Sequence, residues 1–200
     1  MGTGQTIAPD AGPLLVLDGI ACRRGERILF KGLDLALCPG EAGLVTGPNG
    51  AGKSSLLRIV AGLLPAAAGQ VVRNGAMALA AEAPALDTRL PLARALLFWA
   101  EVDGRGLPQV ADALAAMGLE RLADVPVRLL STGQRRRATI ARVIAGGAAI
   151  WLLDEPGSGL DVASLEALAT AMARHRAAGG VVLAASHQPL GLTQAREIAL

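Results

Sequence analysis

Eight consecutive residues, Gly47-Pro48-Asn49-Gly50-Ala51-Gly52-Lys53-Ser54, have the spacing G-x-x-x-x-G-K-S of a phosphate-cradling loop. Its glycines permit backbone angles that turn several N–H groups inward around a phosphate. A helix starting at Lys53 would add unpaired donors and the positive end of its dipole. At that spacing Lys53 reaches the β- and γ-phosphates, the Ser54 hydroxyl is the ligand for Mg²⁺, and Ser55 follows in the same turn. A second group lies about 100 residues on, where the apolar run Ala149-Ile150-Trp151-Leu152-Leu153 ends in Asp154 and Glu155. Asp154 is placed to hold Mg²⁺, directly or through water. Glu155 is then free to polarise an attacking water, which is worth about 10²–10⁴-fold for a general base. Taken alone, two acids closing a buried strand are as easily explained by the strand meeting solvent. The loop upstream is what favours the chemical reading.

A third group, Leu130-Ser131-Thr132-Gly133-Gln134, also precedes a helix. Ser131 and Gly133 at a helix N-terminus make a further phosphate site, although Ser before Gly is also an ordinary N-cap. One chain holding one triphosphate has no use for two such sites. A lone histidine, His187, follows the apolar run 181–185, and Ser158-Gly159-Leu160-Asp161 follows the acidic pair.

These groups need a scaffold. Apolar runs at 14–20, 28–37, 43–46, 71–73, 149–153 and 181–185, with a last one near Ile198, are expected to be strands. Arg24-Gly25 is the expected turn between the first two. Helices are expected at 53–61 with Gly62 as stop, after Gly133, and at about 162–176. Residues 84–130 read as a small helical lobe, with Leu92, Ala95, Leu96 and Trp99 on one face and Val110, Leu114 and Met117 on another. Buried strands alternating with helices imply an α/β fold with a mostly parallel sheet and antiparallel N-terminal strands. The 200 residues suit a single domain, 1–200, with a loose leader at 1–13.

Composition sets limits. Hydrophobic residues make up 52% of the chain, yet no uncharged run reaches the ~18 residues of a membrane helix. No basic stretch precedes an apolar one at the start, so a signal peptide is not expected. The net charge of +2 argues against a nucleic-acid partner. Arg135, Arg136 and Arg137 are consecutive helix positions, so they point to different faces and read as a solvated helix start. Cys22 and Cys38 have neither metal-site nor redox-pair spacing and read as packing residues.

The order of these groups resembles the ATP-binding domains of ABC transporters, with Leu130 to Gln134 matching the family signature L-S-G-G-Q apart from Thr132. The resemblance covers nearly the whole chain from Leu14. It implies ATP hydrolysis with Mg²⁺ in a sandwich of two domains, a homodimer in which Ser131, Gly133 and Gln134 address the γ-phosphate held by the partner. It also implies that Asp161 faces the opposing site and that His187 senses γ-phosphate. Two departures stand out. Arg24 occupies the position before Gly25 where the family stacks an aromatic on adenine; a guanidinium can stack there at about 0.5–2 kcal/mol. The glutamine that couples Mg²⁺ to the membrane partner is missing from Ala80-Ala81-Glu82-Ala83-Pro84, leaving Glu82 as the polar candidate.

Within that family the chain most resembles the short ATP-binding subunits of haem exporters for cytochrome c maturation. Cys22-Arg23-Arg24-Gly25, Thr88-Arg89-Leu90, Trp151-Leu152-Leu153-Asp154-Glu155-Pro156 and Ser186-His187-Gln188-Pro189-Leu190 carry the resemblance. It implies a peripheral subunit on the cytoplasmic face of the bacterial inner membrane, bound to an integral membrane permease. No Cys-x-x-Cys-His is present, and nothing in the sequence points to direct haem binding. The alternatives are the ATPase of another ABC importer or drug exporter, or a soluble clamp on nucleic acid. The clamp proteins carry long coiled-coil insertions, whereas only about 75 residues separate Lys53 from Ser131 here.

Overall fold

The computed structural model describes residues 12–81 and 85–200. Glu82, the start of the expected lobe at Pro84, and residues 1–11 of the expected leader lie outside the described residues.

Two sheets clasp one helix. The first is antiparallel and three-stranded, in the order β2 (Arg27–Leu37), β1 (Leu15–Arg24), β4 (Ala68–Arg73). The second is parallel and five-stranded, in the order β5 (Met77–Ala80), β6 (Ile150–Asp154), β7 (Val181–Ala185), β3 (Ala42–Thr46), β8 (Arg196–Ala199). Every residue of β6 and β7 is buried, as expected of central parallel strands covered on both faces. Helix α1 (Lys53–Val60) lies between the sheets with six of its eight residues buried. Leu56, Leu57 and Val60 join Leu15, Leu17, Ile20, Ile150 and Leu183 in one core cluster.

The other face of the parallel sheet carries α2 (Leu92–Val102), α3 (Leu107–Ala116), α4 (Thr132–Gly146) and α5 (Val162–Ala177). Short 3₁₀ turns at Glu120–Leu122 and Val127–Leu129 complete the expected lobe. The predicted faces are correct: Leu92, Ala95, Leu96, Val110, Leu114 and Met117 are buried, and Trp99 is half-buried.

Three sequence expectations change. First, β1 runs on to Arg24 instead of stopping at Ile20. Its buried positions switch from Leu15 and Leu17 to Ile20 and Cys22 because the register slips by a bulge at Gly19, whose N–H donates to Asp34 Oδ1 at 2.6 Å. A bulge reverses the in/out alternation, which makes one strand look as if it ends. The turn therefore falls on Gly25-Glu26. Second, β5 was not expected, and β4 begins three residues earlier than the apolar run. Third, the arginine cluster is half-buried, not merely solvated. Arg137 donates to the carbonyls of Met117 and Gly118 just past α3, and Arg136 donates to that of Ala81.

Candidate functional site

The parallel sheet brings the chemical residues together by register. Val45 pairs with Ala185, and Ala185 pairs with Asp154, so one row crosses β3, β7 and β6. Just past this row each strand leaves the sheet: β6 into Glu155 and β7 into Ser186-His187 at the next residue, and β3 after Thr46 into the phosphate loop. The carboxyl ends of parallel strands are where open α/β sheets bind ligands.

The loop ends at Gly52, the N-cap of α1, with φ 114°. A Cβ there would stand 3.0 Å from the Phe30 ring as well as adopt a strained φ, so only glycine lets β2 lie across the start of α1. Lys53 is 7% exposed, and its ammonium donates to the carbonyls of Gly47 at 2.8 Å and Pro48 at 3.3 Å. The charge is thereby held over the loop instead of extending into solvent.

Ser54 Oγ donates to Asp154 Oδ1 at 3.0 Å. A hydroxyl and a buried carboxylate from elements 100 residues apart thus converge on one point. That is an all-oxygen donor pair beside a phosphate cradle, and it fits a hard divalent cation such as Mg²⁺.

Glu155 follows in a left-handed conformation, φ 47°, uncommon for a residue with a side chain. Its N–H donates to the Ala185 carbonyl at 2.9 Å and its carbonyl accepts from Ser158 N–H at 3.1 Å, so the strained position is pinned from both sides. The carboxylate lies 3.9 Å from Lys53 Nζ and 2.8 Å from His187 Nδ1. A partly exposed carboxylate held between an ammonium and an imidazole can accept a proton and pass on hydrogen-bond order to a neighbour.

Gly52, Lys53, Ser54 and Glu155 border a cleft of about 450 Å³ that also takes in Arg24, Pro48, Asn49, Gly50 and Ser55, while Asp154 stands behind Ser54 and does not line it. Arg27 and Leu29 line it too, and neither was expected from sequence. Ala51 belongs to the loop, where its N–H donates to the Pro48 carbonyl. His187 reaches the site only through Glu155.

Ser131, Gly133 and Gln134 are elsewhere. Ser131 caps α4: its Oγ accepts from Gln134 N–H at 3.2 Å, while Gln134 Oε1 accepts from Ser131 N–H at 2.8 Å. This reciprocal capping box leaves Ser131 exposed at a helix N-terminus. None of the three borders the cleft of their own chain. A Cβ on Gly133 would lie 3.2 Å from the Gly159 carbonyl oxygen, so this turn abuts Ser158-Gly159-Leu160-Asp161. Asp161 has a local task as the N-cap of α5, accepting from Ser164 N–H at 2.9 Å. Hydrogen bonds from Ser164 hold its carboxyl below the ordinary carboxylate range.

A family profile described as "ABC transporter" matches residues 30–158, more than half of the chain. The chain belongs to the ABC transporter family. Its ABC fold is shared with a solved ATP-binding subunit of an ABC transporter, at a TM-score of 0.83 with 22% identity, covering 94% of this chain and 85% of that one. It is shared also with the ADP conformation of an ATP-binding cassette of an ABC transporter, at a TM-score of 0.73 with 21% identity, over 88% and 82% of the two chains. Among its ABC relatives is the cytochrome c biogenesis ATP-binding export protein CcmA of Sphingopyxis alaskensis, 58% identical over 94% of this chain and 96% of the relative. The protein of the same name from Novosphingobium aromaticivorans is 54% identical over 93% and 95%. No described helix is long and apolar enough to cross a membrane.

Proposed function

We propose that this chain is the ATP-hydrolysing subunit of a haem exporter serving cytochrome c biogenesis. It would act as one half of a two-domain ATP sandwich and dock on an integral membrane permease at the cytoplasmic face of the bacterial inner membrane. The observation that carries the biological assignment is 58% identity to a cytochrome c biogenesis export protein over nearly the full length of both chains.

The geometry supports a role for each residue. The loop amides and Lys53 bind the β- and γ-phosphates, with the ammonium already held over the loop by Gly47 and Pro48. Ser54 and Asp154 would hold Mg²⁺, which when bound offsets phosphate charge. Glu155 accepts the proton of the attacking water through Oε1, the oxygen nearer Lys53, and His187 Nδ1 against Oε2 keeps that carboxylate aimed. Ser131, Gly133 and Gln134 lie outside their own cleft, which supports their serving the ATP of a second copy. Glu155→Gln is then expected to trap ATP without turnover.

Deleting the gene should abolish covalent haem attachment to every c-type cytochrome while b-type cytochromes persist. Glu155→Gln supplied in that strain should not restore it. Haem staining of denaturing gels reads this directly, because only covalent haem survives denaturation. Normal c-type bands in the deletion strain would overturn the cytochrome assignment and leave an importer or drug-exporter ATPase in its place.

A further inference from the structure

The β1–β2 hairpin carries two guanidinium groups over the cleft. Arg24 and Arg27 are direct partners across the hairpin, so their side chains leave the same face of the ribbon. Both are exposed, both border the cleft, and neither is hydrogen-bonded or ion-paired among the described residues. Their place along the cleft is set by β2, which crosses the start of α1 at Leu29 and Phe30, in contact range of Gly52. Arg27 lies two residues nearer the hairpin tip, a rise of about 7 Å. With the phosphates at Gly52 and Lys53, the two guanidiniums stand at the nucleoside end.

We infer that Arg24 and Arg27 form a donor-only base site that takes guanine at least as readily as adenine, with Arg27 setting the preference. The inference rests on the nucleotide reading of the cleft given above. An arginine offers five N–H donors and no acceptor. The planar group of Arg24 stacks on either purine and does not choose between them. The fork of Arg27 meets two acceptors side by side on guanine, O6 and N7, whereas adenine presents N7 beside a donor, the N6 amine. Among the described residues, no side chain at this end of the cleft offers that amine an acceptor. Glu26, between the two arginines in sequence, is not among the cleft residues, and Asn49 and Glu155 belong to the phosphate end.

The test compares kcat/KM for ATP, GTP and UTP on the full chain, with affinities from displacement of a fluorescent ATP analogue. The wild type should use GTP at least as well as ATP, and UTP poorly, because a pyrimidine lacks the N7 edge. Arg27→Ala and Arg27→Lys should each lower the GTP-to-ATP ratio by about fivefold or more, since Lys keeps the charge but loses the fork. The change should appear in KM and affinity, not in kcat. Arg24→Ala should weaken both purines alike. A wild-type preference for ATP of about tenfold or more, or an Arg27→Lys variant with an unchanged ratio, would overturn the inference while leaving the ATPase reading in place. Equal binding of GTP and ATP with no turnover of either would do the reverse.

Discussion

Glu155 carries a backbone cost for a chemical return. Left-handed φ at a residue with a side chain costs on the order of 1–3 kcal/mol, and such strain persists only where surroundings impose it. Here the Ala185 carbonyl and the Ser158 N–H impose it, and the result is a carboxylate 2.8 Å from His187 and 3.9 Å from Lys53. Glu155→Gln preserves shape and can still accept from His187, but an amide cannot take a proton. ATP affinity should therefore hold while steady-state hydrolysis falls by about 10²-fold or more. Lys53→Ala should instead lose binding, since the loop forfeits its one buried ammonium and the charge-assisted bonds it makes, worth about 1.5–3 kcal/mol. Equilibrium nucleotide binding and phosphate-release assays separate the two, and a Glu155→Gln protein with ordinary turnover would remove the carboxylate from its role.

At the scale of elements, the meeting of β2 with α1 decides whether the loop can form. Gly52→Ala adds a methyl 3.0 Å from the Phe30 ring at a φ of 114°. The expected result is a loss of about 1–3 kcal/mol in urea unfolding together with weakened ATP binding. Adding Phe30→Ala should relieve the contact but not the φ, so recovery should be partial. An unchanged urea midpoint in Gly52→Ala would refute this account.

The same scale explains what could be read from sequence. The loop, the acidic pair and the N-cap at Ser131 are fixed by spacing within a few residues, so they were legible, whereas the reciprocal bond from Gln134 came only with the structure. β5 was not, because Met77-Ala78-Leu79-Ala80 is short and built from residues without β preference; only its pairing with β6 makes it a strand. Arg27 was missed because its place in the cleft depends on pairing with Arg24, not on any local pattern. The arginine cluster was read as solvated because backbone carbonyls, which satisfy Arg136 and Arg137, leave no trace in composition.

For the whole molecule, the proposed sandwich makes a second copy part of the site. Ser131 and Gly133 do not border the cleft of their own chain, and on that reading they complete the cleft of the other copy. Hydrolysis should then need two copies. The specific rate per chain should fall on dilution below the dimer's dissociation constant and recover on concentration or on assembly with the membrane subunit. A rate strictly proportional to chain concentration, down to a monomer verified by sedimentation, would rule this out.

The row Val45, Ala185, Asp154 also bears on how the protein is made. Its central strand, β7, is the last of the three to leave the ribosome. Parallel pairings between strands so far apart in sequence carry the entropy of closing long loops and form slowly. The strand that aligns the phosphate loop with Asp154 and Glu155 is made about 130 residues after that loop. Throughout that interval β3 lacks both of its sheet neighbours, β7 and β8, and folding helpers in the cell have their longest hold on this chain.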